Sequence, residues 1–204
     1  MTNENTFSQM ANDVSILKTF ESLEKNGIHP YLVKDRNDAL KKVLDLLPDH
    51  EEIMTMTSVT LTEIWLDELL NTSTEFISIR RLMNNEGLSP IEKRRLWTAH
   101  EWAIWSVHAV TENWQVMIAS ATWSQIPAYA YGAMNVIWIV WTQKIVKDLD
   151  EGFRRIYEYS FPLENERSMK AYWIWSWVNK LLIINKETIP GRIHMIFVKE
   201  KLWF

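Results

Sequence analysis

The chain has 204 residues with Lys plus Arg 22 against Asp plus Glu 26, a net charge of −4. That length suits one large domain with a sizeable core, and the charge balance gives no reason to expect a nucleic-acid partner or a polybasic membrane anchor. With no Cys, disulfides, thiolate zinc sites, cysteine-ligated iron–sulfur clusters and a cysteine nucleophile are excluded.

Residues 1–14 read as a polar N-terminal segment without the apolar core of a secretory signal. A single α/β domain is expected over 15–204. Ser15 to Asn26 has helical spacing and stops at Gly27. Ile28 to Val33 is a strand, and Asp38 to Leu47 a helix capped by Asn37 or Asp38 and ended by Pro48. Glu52 to Met56 is a strand that runs into the polar turn Thr57-Ser58-Val59-Thr60, after which a helix is expected from about Leu61 to Leu70. Phe76 to Ile79 reads as a strand and Pro90 to about Leu96 as a helix. Five short apolar runs follow, at Ala103–Val107, Gln115–Ala119, Val136–Val140, Leu181–Ile184 and Ile193–Val198, with helices at Ser124–Ala133 and Asp148–Tyr159. Alternating strands and helices predict a three-layer α/β fold with a largely parallel sheet and flanking helices. The unbroken apolar run Val136–Val140 belongs at its centre. No run reaches the roughly 20 apolar residues of a bilayer-spanning helix, and a cytoplasmic location is expected.

Two counts are out of proportion: Gly is 5 and Trp is 12, whereas glycine usually makes up roughly 7% of a chain. Trp138 and Trp102 suit apolar strands, and Trp97 fits either way. Nine others, at 65, 105, 114, 123, 141, 173, 175, 177 and 203, stand at turns and junctions where glycine belongs. Trp114 follows Glu112-Asn113, where a hairpin favours Asn-Gly because the turn needs φ > 0. Read with glycine at these places, Ser58–Leu66, Trp105–Val116, Ala121–Gln125, Val140–Val146 and Lys201–Phe204 resemble the LUD-domain family, the lactate-utilisation proteins of the LutB/LutC type, and its stand-alone members above all. The similarity runs from about Phe20 to Phe204 and is most specific from Ser106 through Glu166. A gene whose UGA codons specify glycine, translated under a code in which UGA specifies tryptophan, would give this substitution pattern. The rival reading is a tryptophan-rich stacking surface for sugars or bases.

Four segments carry candidate chemistry. Ser58 and Thr60 lie at a strand-to-helix junction, where free N–H groups and hydroxyls suit an anion; the plain alternative is N-capping. Period-two alternation places Ser106 and His108 on one face, and His108 with Glu112 would make an acid–base pair; alternatively His108 is simply packed beside a hairpin. Thr122, Ser124 and Gln125 would form a second anion-binding lip. Thr142 and Lys144 follow the central strand, where Lys144 would neutralise an anionic substrate or serve only as surface charge. Glu164, Arg167, Asn179 and Lys180 are further polar groups near junctions. The five His residues show no zinc spacing, and no Walker or Rossmann glycine loop is present even with glycines restored, so no metal or cofactor is expected.

The resemblance implies a NagB/RpiA/CoA-transferase-like arrangement and a part in oxidising L-lactate to pyruvate, beside partner proteins that carry iron–sulfur clusters. Lacking Cys, this chain resembles the cluster-free type. Two functions follow from it: an accessory or small-molecule-binding component of lactate utilisation, or an enzyme acting on an anionic phosphorylated or acyl metabolite with Ser58, Thr60, His108 and Lys144 around one cleft. A small anionic metabolite is the expected partner in both, with no nucleic acid and no membrane.

Overall fold

In the computed structural model, which describes residues 6–122 and 124–201, the strand with the most continuous apolar run lies between neighbours on both sides. This strand, β7 (Asn135–Trp141), pairs in parallel with β10 (Ile193–Val198) and β4 (Trp102–Trp105). Outside them lie β1 (Ile28–Val33) on one side, and β2 (Glu52–Thr55) and β3 (Ile77–Ser78) on the other. The order is β1-β10-β7-β4-β2-β3, and every pair is parallel. This is the expected three-layer α/β fold with a mostly parallel sheet.

Alternation along β7 divides the core between two faces. Val136, Trp138 and Val140 point to one, where Leu23 of α1 (Asp13–Lys25) packs. Ile137, Ile139 and Trp141 point to the other, against Ala39 and Val43 of α2 (Arg36–Leu46) and against Leu61, Leu66 and Leu70. The cap of α2 is Asp35, whose side chain accepts from the backbone N–H groups of Asn37 and Asp38, so the residues expected to cap are themselves capped.

A second sheet lies over the first face. Its order is β8-β5-β6-β9, with β5 (Ala109–Thr111) and β6 (Val116–Ser120) forming an antiparallel hairpin, β8 (Ile145–Val146) parallel to β5, and β9 (Lys180–Ile184) antiparallel to β6. The sequence reading expected one sheet for all these strands. β5 and β8 are only three and two residues long, too short for a periodic signal. On the outer side of this sheet a helix starts at Leu149 (α7, Leu149–Arg154), widens to a π turn over Arg155–Ser160, and continues to Tyr172. The expected helix ended at Tyr159. Pro162 does not stop it, because the ladder has already widened just before a residue with no N–H to give. Gly152 allows this helix to lie against β6, since a Cβ there would overlap the Met117 sulfur. Phe7 is buried in the same cluster as Met117, Ile156 and Tyr159, so the N-terminal segment is packed down at that residue.

Arg192 is buried at the opposite end of the sheet. It donates to the carbonyls of Ala128, Tyr129 and Ala133 and pairs with Glu187 at 2.6 Å. The helix expected over Ser124–Ala133 is reduced to little more than the π turn Ala128–Gly132, and Arg192 fixes its carbonyls. Arg192→Ala is expected to lose about 3–5 kcal/mol of stability in urea unfolding, because Glu187 would be left buried and unpaired.

The nine unusual tryptophans divide by backbone. Trp65, Trp114 and Trp173 have φ of 56°, 83° and 57°, and among the described residues His50 is the only other non-glycine with positive φ. Trp65 breaks the expected Leu61–Leu70 helix into α3 (Val59–Glu63) and α4 (Leu66–Thr72). Trp114 closes the β5–β6 hairpin and Trp173 ends the long helix. These three rings, with those of Trp175 and Trp177, are exposed. Trp105 and Trp141 instead lie in strands, and Trp141 is fully buried, so nothing in the backbone at those two requires glycine. Positions 123 and 203 lie outside the described residues. Trp138 and Trp102 are buried, as their contexts suggested. A left-handed non-glycine costs about 1–2 kcal/mol, so Trp65→Gly, Trp114→Gly and Trp173→Gly should each raise stability by about 1 kcal/mol in urea unfolding. The gene should carry UGA at these three codons, and UGG there would overturn the recoding explanation.

Candidate functional site

In a parallel sheet the loops leaving adjacent strands converge beyond the carboxyl edge. Here β2 leads into Thr57–Thr60, β4 into Ser106–His108, and β7 into Thr142–Lys144. Between these loops, the β6 end and the long helix lies a cavity of about 540 Å³. Ser58, Thr60, Ser106, His108, Thr122, Gln125 and Lys144 all line it. Ser58 makes no side-chain cap bond, and α3 has only five residues, so little dipole stands behind the turn.

The electrostatics of the cavity come from two buried cations. Lys144 is 6% exposed, and its Nζ donates to Ser106 Oγ and the Val107 carbonyl, both at 3.0 Å. Arg155 is fully buried; its Nε donates to the Gln143 carbonyl, and its Nη1 donates to the His108 carbonyl at 2.6 Å and to Ser160 Oγ at 2.7 Å. Its Nη2 has no hydrogen-bond partner. Among the described residues neither cation has a carboxylate within ion-pair distance. Burial and the neighbouring Arg155 pull the Lys144 ammonium well below its usual range, with Glu63 acting the other way. Burial pushes Arg155 down to about 10.

His108 is largely buried, and its Nδ1 accepts from the Ala119 N–H at 3.1 Å. Burial, then Lys144 and Arg155, push its pKa down to about 3. The ring is therefore neutral near pH 7, with its proton on Nε2, and acts as a hydrogen-bond donor rather than a base. The proposed partnership with Glu112 does not form. Glu112 sits at the hairpin turn, where it pairs with Lys18 at 3.0 Å, and its carbonyl accepts from Ser22 Oγ, joining the hairpin to α1. The two residues flank β5 at opposite ends, and four residues of extended chain span about 13 Å, so sharing a face does not bring the side chains together.

Other expected residues lie outside the lining. Thr142 is fully buried and its Oγ1 has no partner, while Ser124 is within 3.2 Å of both Thr122 Oγ1 and Gln125 Oε1. Asn179 donates to the Ala121 carbonyl, and Lys180 lies in β9. Glu164 and Arg167 do line the cavity, as a bidentate ion pair with both bonds at 2.7 Å.

Sequence reading missed Glu63, Arg155 and Ser160, all of which line the cavity, while Ser120 lines it from the turn expected as the second lip. Arg155 was detectable: Gly152, Arg155, Ile156 and Tyr159 form an i, i+3, i+4, i+7 stripe, and a cation on that stripe is a buried cation. Glu63 follows Thr60 by three residues, hence on the same helix side. Its Oε2 is buried without a partner. Trp105 also lines the cavity; its indole N–H donates to the Thr57 carbonyl at 3.0 Å, and its ring stacks on Tyr129 with centroids 5.9 Å apart. Among the described residues no group of three or more His, Asp or Glu is placed to hold a metal, and no helix is long and apolar enough to cross a membrane.

The depressed His108 pKa implies a sign for acid stability. The unfolded chain binds a proton at His108 near pH 6.5 and the folded chain only near pH 3, so stability present above 6.5 is lost as the pH falls through that interval. The slope approaches about 1.4 kcal/mol per pH unit. Urea midpoints measured from pH 7 to pH 4 should fall less steeply in His108→Gln than in the parent chain.

Comparison with known proteins agrees with this architecture. No curated protein matches the chain. Among solved structures, a DUF162 family protein from Deinococcus radiodurans superposes with a TM-score of 0.59 at 11% identity, over 94% of this chain and 100% of that one, which is a likeness of fold. The LUD domain family profile matches residues 16–198. With nearly the whole α/β unit inside that match, the chain belongs to the LUD domain family, a family related to lactate utilisation.

Proposed function

We propose that the cavity binds a small anionic metabolite, a carboxylate or a phosphorylated compound, and that the chain serves as a cluster-free component of a lactate-utilisation system beside iron–sulfur partner proteins. One observation carries this reading: Lys144 and Arg155 are buried against the cavity with no carboxylate partner among the described residues. A buried cation costs several kcal/mol unless it is paired, and an anion from solution supplies the missing charge. The free Nη2 of Arg155 and the Nε2–H of His108 supply donors for its oxygens, and Ser58, Thr60 and Ser106 add hydroxyls. Family membership supports lactate or pyruvate as the first compounds to try.

The alternative is an enzyme that transforms such an anion. It is favoured by the meeting of Ser58, Thr60, His108 and Lys144 in one cavity. In that case His108, neutral and donating, would stabilise an oxygen that gains negative charge, as an oxyanion-hole group does.

The test is binding of L-lactate, pyruvate and inorganic phosphate by thermal shift and calorimetry, on the chain as written and on one with glycine at the nine positions. At least one anion is expected to raise the melting temperature. Lys144→Met should weaken its binding about tenfold or more while the protein remains folded. If none of the three anions binds either chain, the cavity reading is wrong.

A further inference from the structure

The cavity contains one carboxylate that its ion pairs leave out. Glu164 is engaged by Arg167. Glu63 lines the same cavity, and its buried Oε2 has no hydrogen-bond partner among the described residues. Three charged groups act on it. Arg36 is held by Glu200 through three contacts of 2.7 to 3.4 Å. Lys144 directs its Nζ at Ser106 and Val107. Glu200 is a like charge. Glu63 therefore has two cations in electrostatic range and no hydrogen bond from either.

We propose that Glu63 is the proton-linked pole of the cavity: it holds a proton while an anion is bound, and its protonated carboxyl donates to a second oxygen of that ligand, a hydroxyl or keto oxygen beside the anionic group. This rests on the anion-binding reading above, whose first candidates, lactate and pyruvate, carry such a second oxygen. An anion seated on Lys144 and Arg155 removes the field that favours ionised Glu63 and adds a negative charge beside it. Proton uptake from water relieves both effects and turns an acceptor with nothing to accept into a donor facing a ligand oxygen. Burial already shifts this carboxyl upward, with Arg36 and Lys144 opposing. His108 stays neutral over the relevant range, since it titrates near 3. Lys144 is the other group able to take up a proton on binding, and removing Glu63 leaves its contribution in place.

The experiment is calorimetric titration of the full chain and of Glu63→Gln with pyruvate, L-lactate and propionate, from pH 5.5 to 8. Pyruvate and L-lactate stay ionised over that range, and propionate is compared with them from pH 6.5 upward, where it is ionised too. Wild-type affinity for pyruvate or lactate should fall about tenfold per pH unit across the upper part of it, the slope of one linked proton. Glu63→Gln keeps a donor at the same place without the charge, so its affinity should vary with pH only through Lys144 and exceed that of wild type at pH 8. Propionate, which lacks the second oxygen, should bind about tenfold more weakly than pyruvate to both chains. Titrations in two buffers of different ionisation enthalpy offer an independent readout: wild type should take up close to one proton more per anion bound than Glu63→Gln does. Equal pH slopes in the two chains, or equal proton uptake by them, would overturn the role of Glu63 while leaving anion binding intact. Equal affinity for propionate and pyruvate would overturn the second-oxygen contact. If no anion binds to either chain, the cavity reading fails and this one with it.

Discussion

β7 is buried on both faces, and the positions of the other elements depend on that. Its alternate residues belong to two different cores, Val136, Trp138 and Val140 to one and Ile137, Ile139 and Trp141 to the other. A one-residue slip of register would exchange the two sets and present each core with the wrong shapes. Parallel pairing with β10 and β4 is thereby pinned, and with it the level at which β4 and β7 reach their carboxyl ends. Ser106 and Lys144 leave these two adjacent strands only a few residues later, which is why a 3.0 Å bond can join side chains 38 residues apart.

The second sheet closes the cavity and charges it. The Arg155 guanidinium reaches back from the long helix to the Gln143 and His108 carbonyls, one in the loop after β7 and the other in the loop after β4. A single side chain thus ties the outer helix to both loops. The π turn is what places it. Widening the ladder over Arg155–Ser160 shifts the helix face by one residue, so Arg155 and Ser160 both face inward. The resulting arrangement concentrates positive charge where solvent is scarce. Each cation is stabilised by carbonyls and hydroxyls, which are dipoles and not counter-charges, and both lie below their ordinary pKa values. Such an arrangement carries an uncompensated desolvation cost, which is the physical basis of the proposed anion binding.

Some of this was legible in the residues. The apolar run of β7 marked the sheet centre, and the position of Lys144 just past it marked the carboxyl edge. Ser58, Thr60, Ser106 and His108 were found because polar residues immediately after apolar strands have few other places to go. The errors have physical causes. His108–Glu112 failed because alternation fixes the face and not the separation, and β5 holds the two residues at its opposite ends. Asp35 was overlooked as a cap because the apolar stripe of α2 begins at Ala39, one turn inside the helix. Glu63 left the least trace, since a glutamate in a helical window looks like solvated surface until a tertiary cavity forms beside it. The second sheet was invisible because its pairing depends on contacts distant in sequence.

The tryptophans connect the fold to the site. A left-handed backbone at Trp65, Trp114 and Trp173 is imposed by neighbours: the α3–α4 break, the hairpin register and the exit of the long helix each demand it, whatever residue is present. The backbone is what glycine would have allowed at no cost. Trp105 is different, because its ring lines the cavity between Thr57 and Tyr129 and touches His108 edge-on at 5.7 Å. Glycine at 105 would remove that wall and leave the space beside His108 open, enlarging the volume available to a ligand without moving Lys144 or Arg155. The two cations and Glu63 would keep their positions, since none of their hydrogen bonds involves the indole. The identity of residue 105 thus sets the volume of the cavity, whereas its charge is set by Lys144, Arg155 and Glu63, whose hydrogen bonds do not involve that indole.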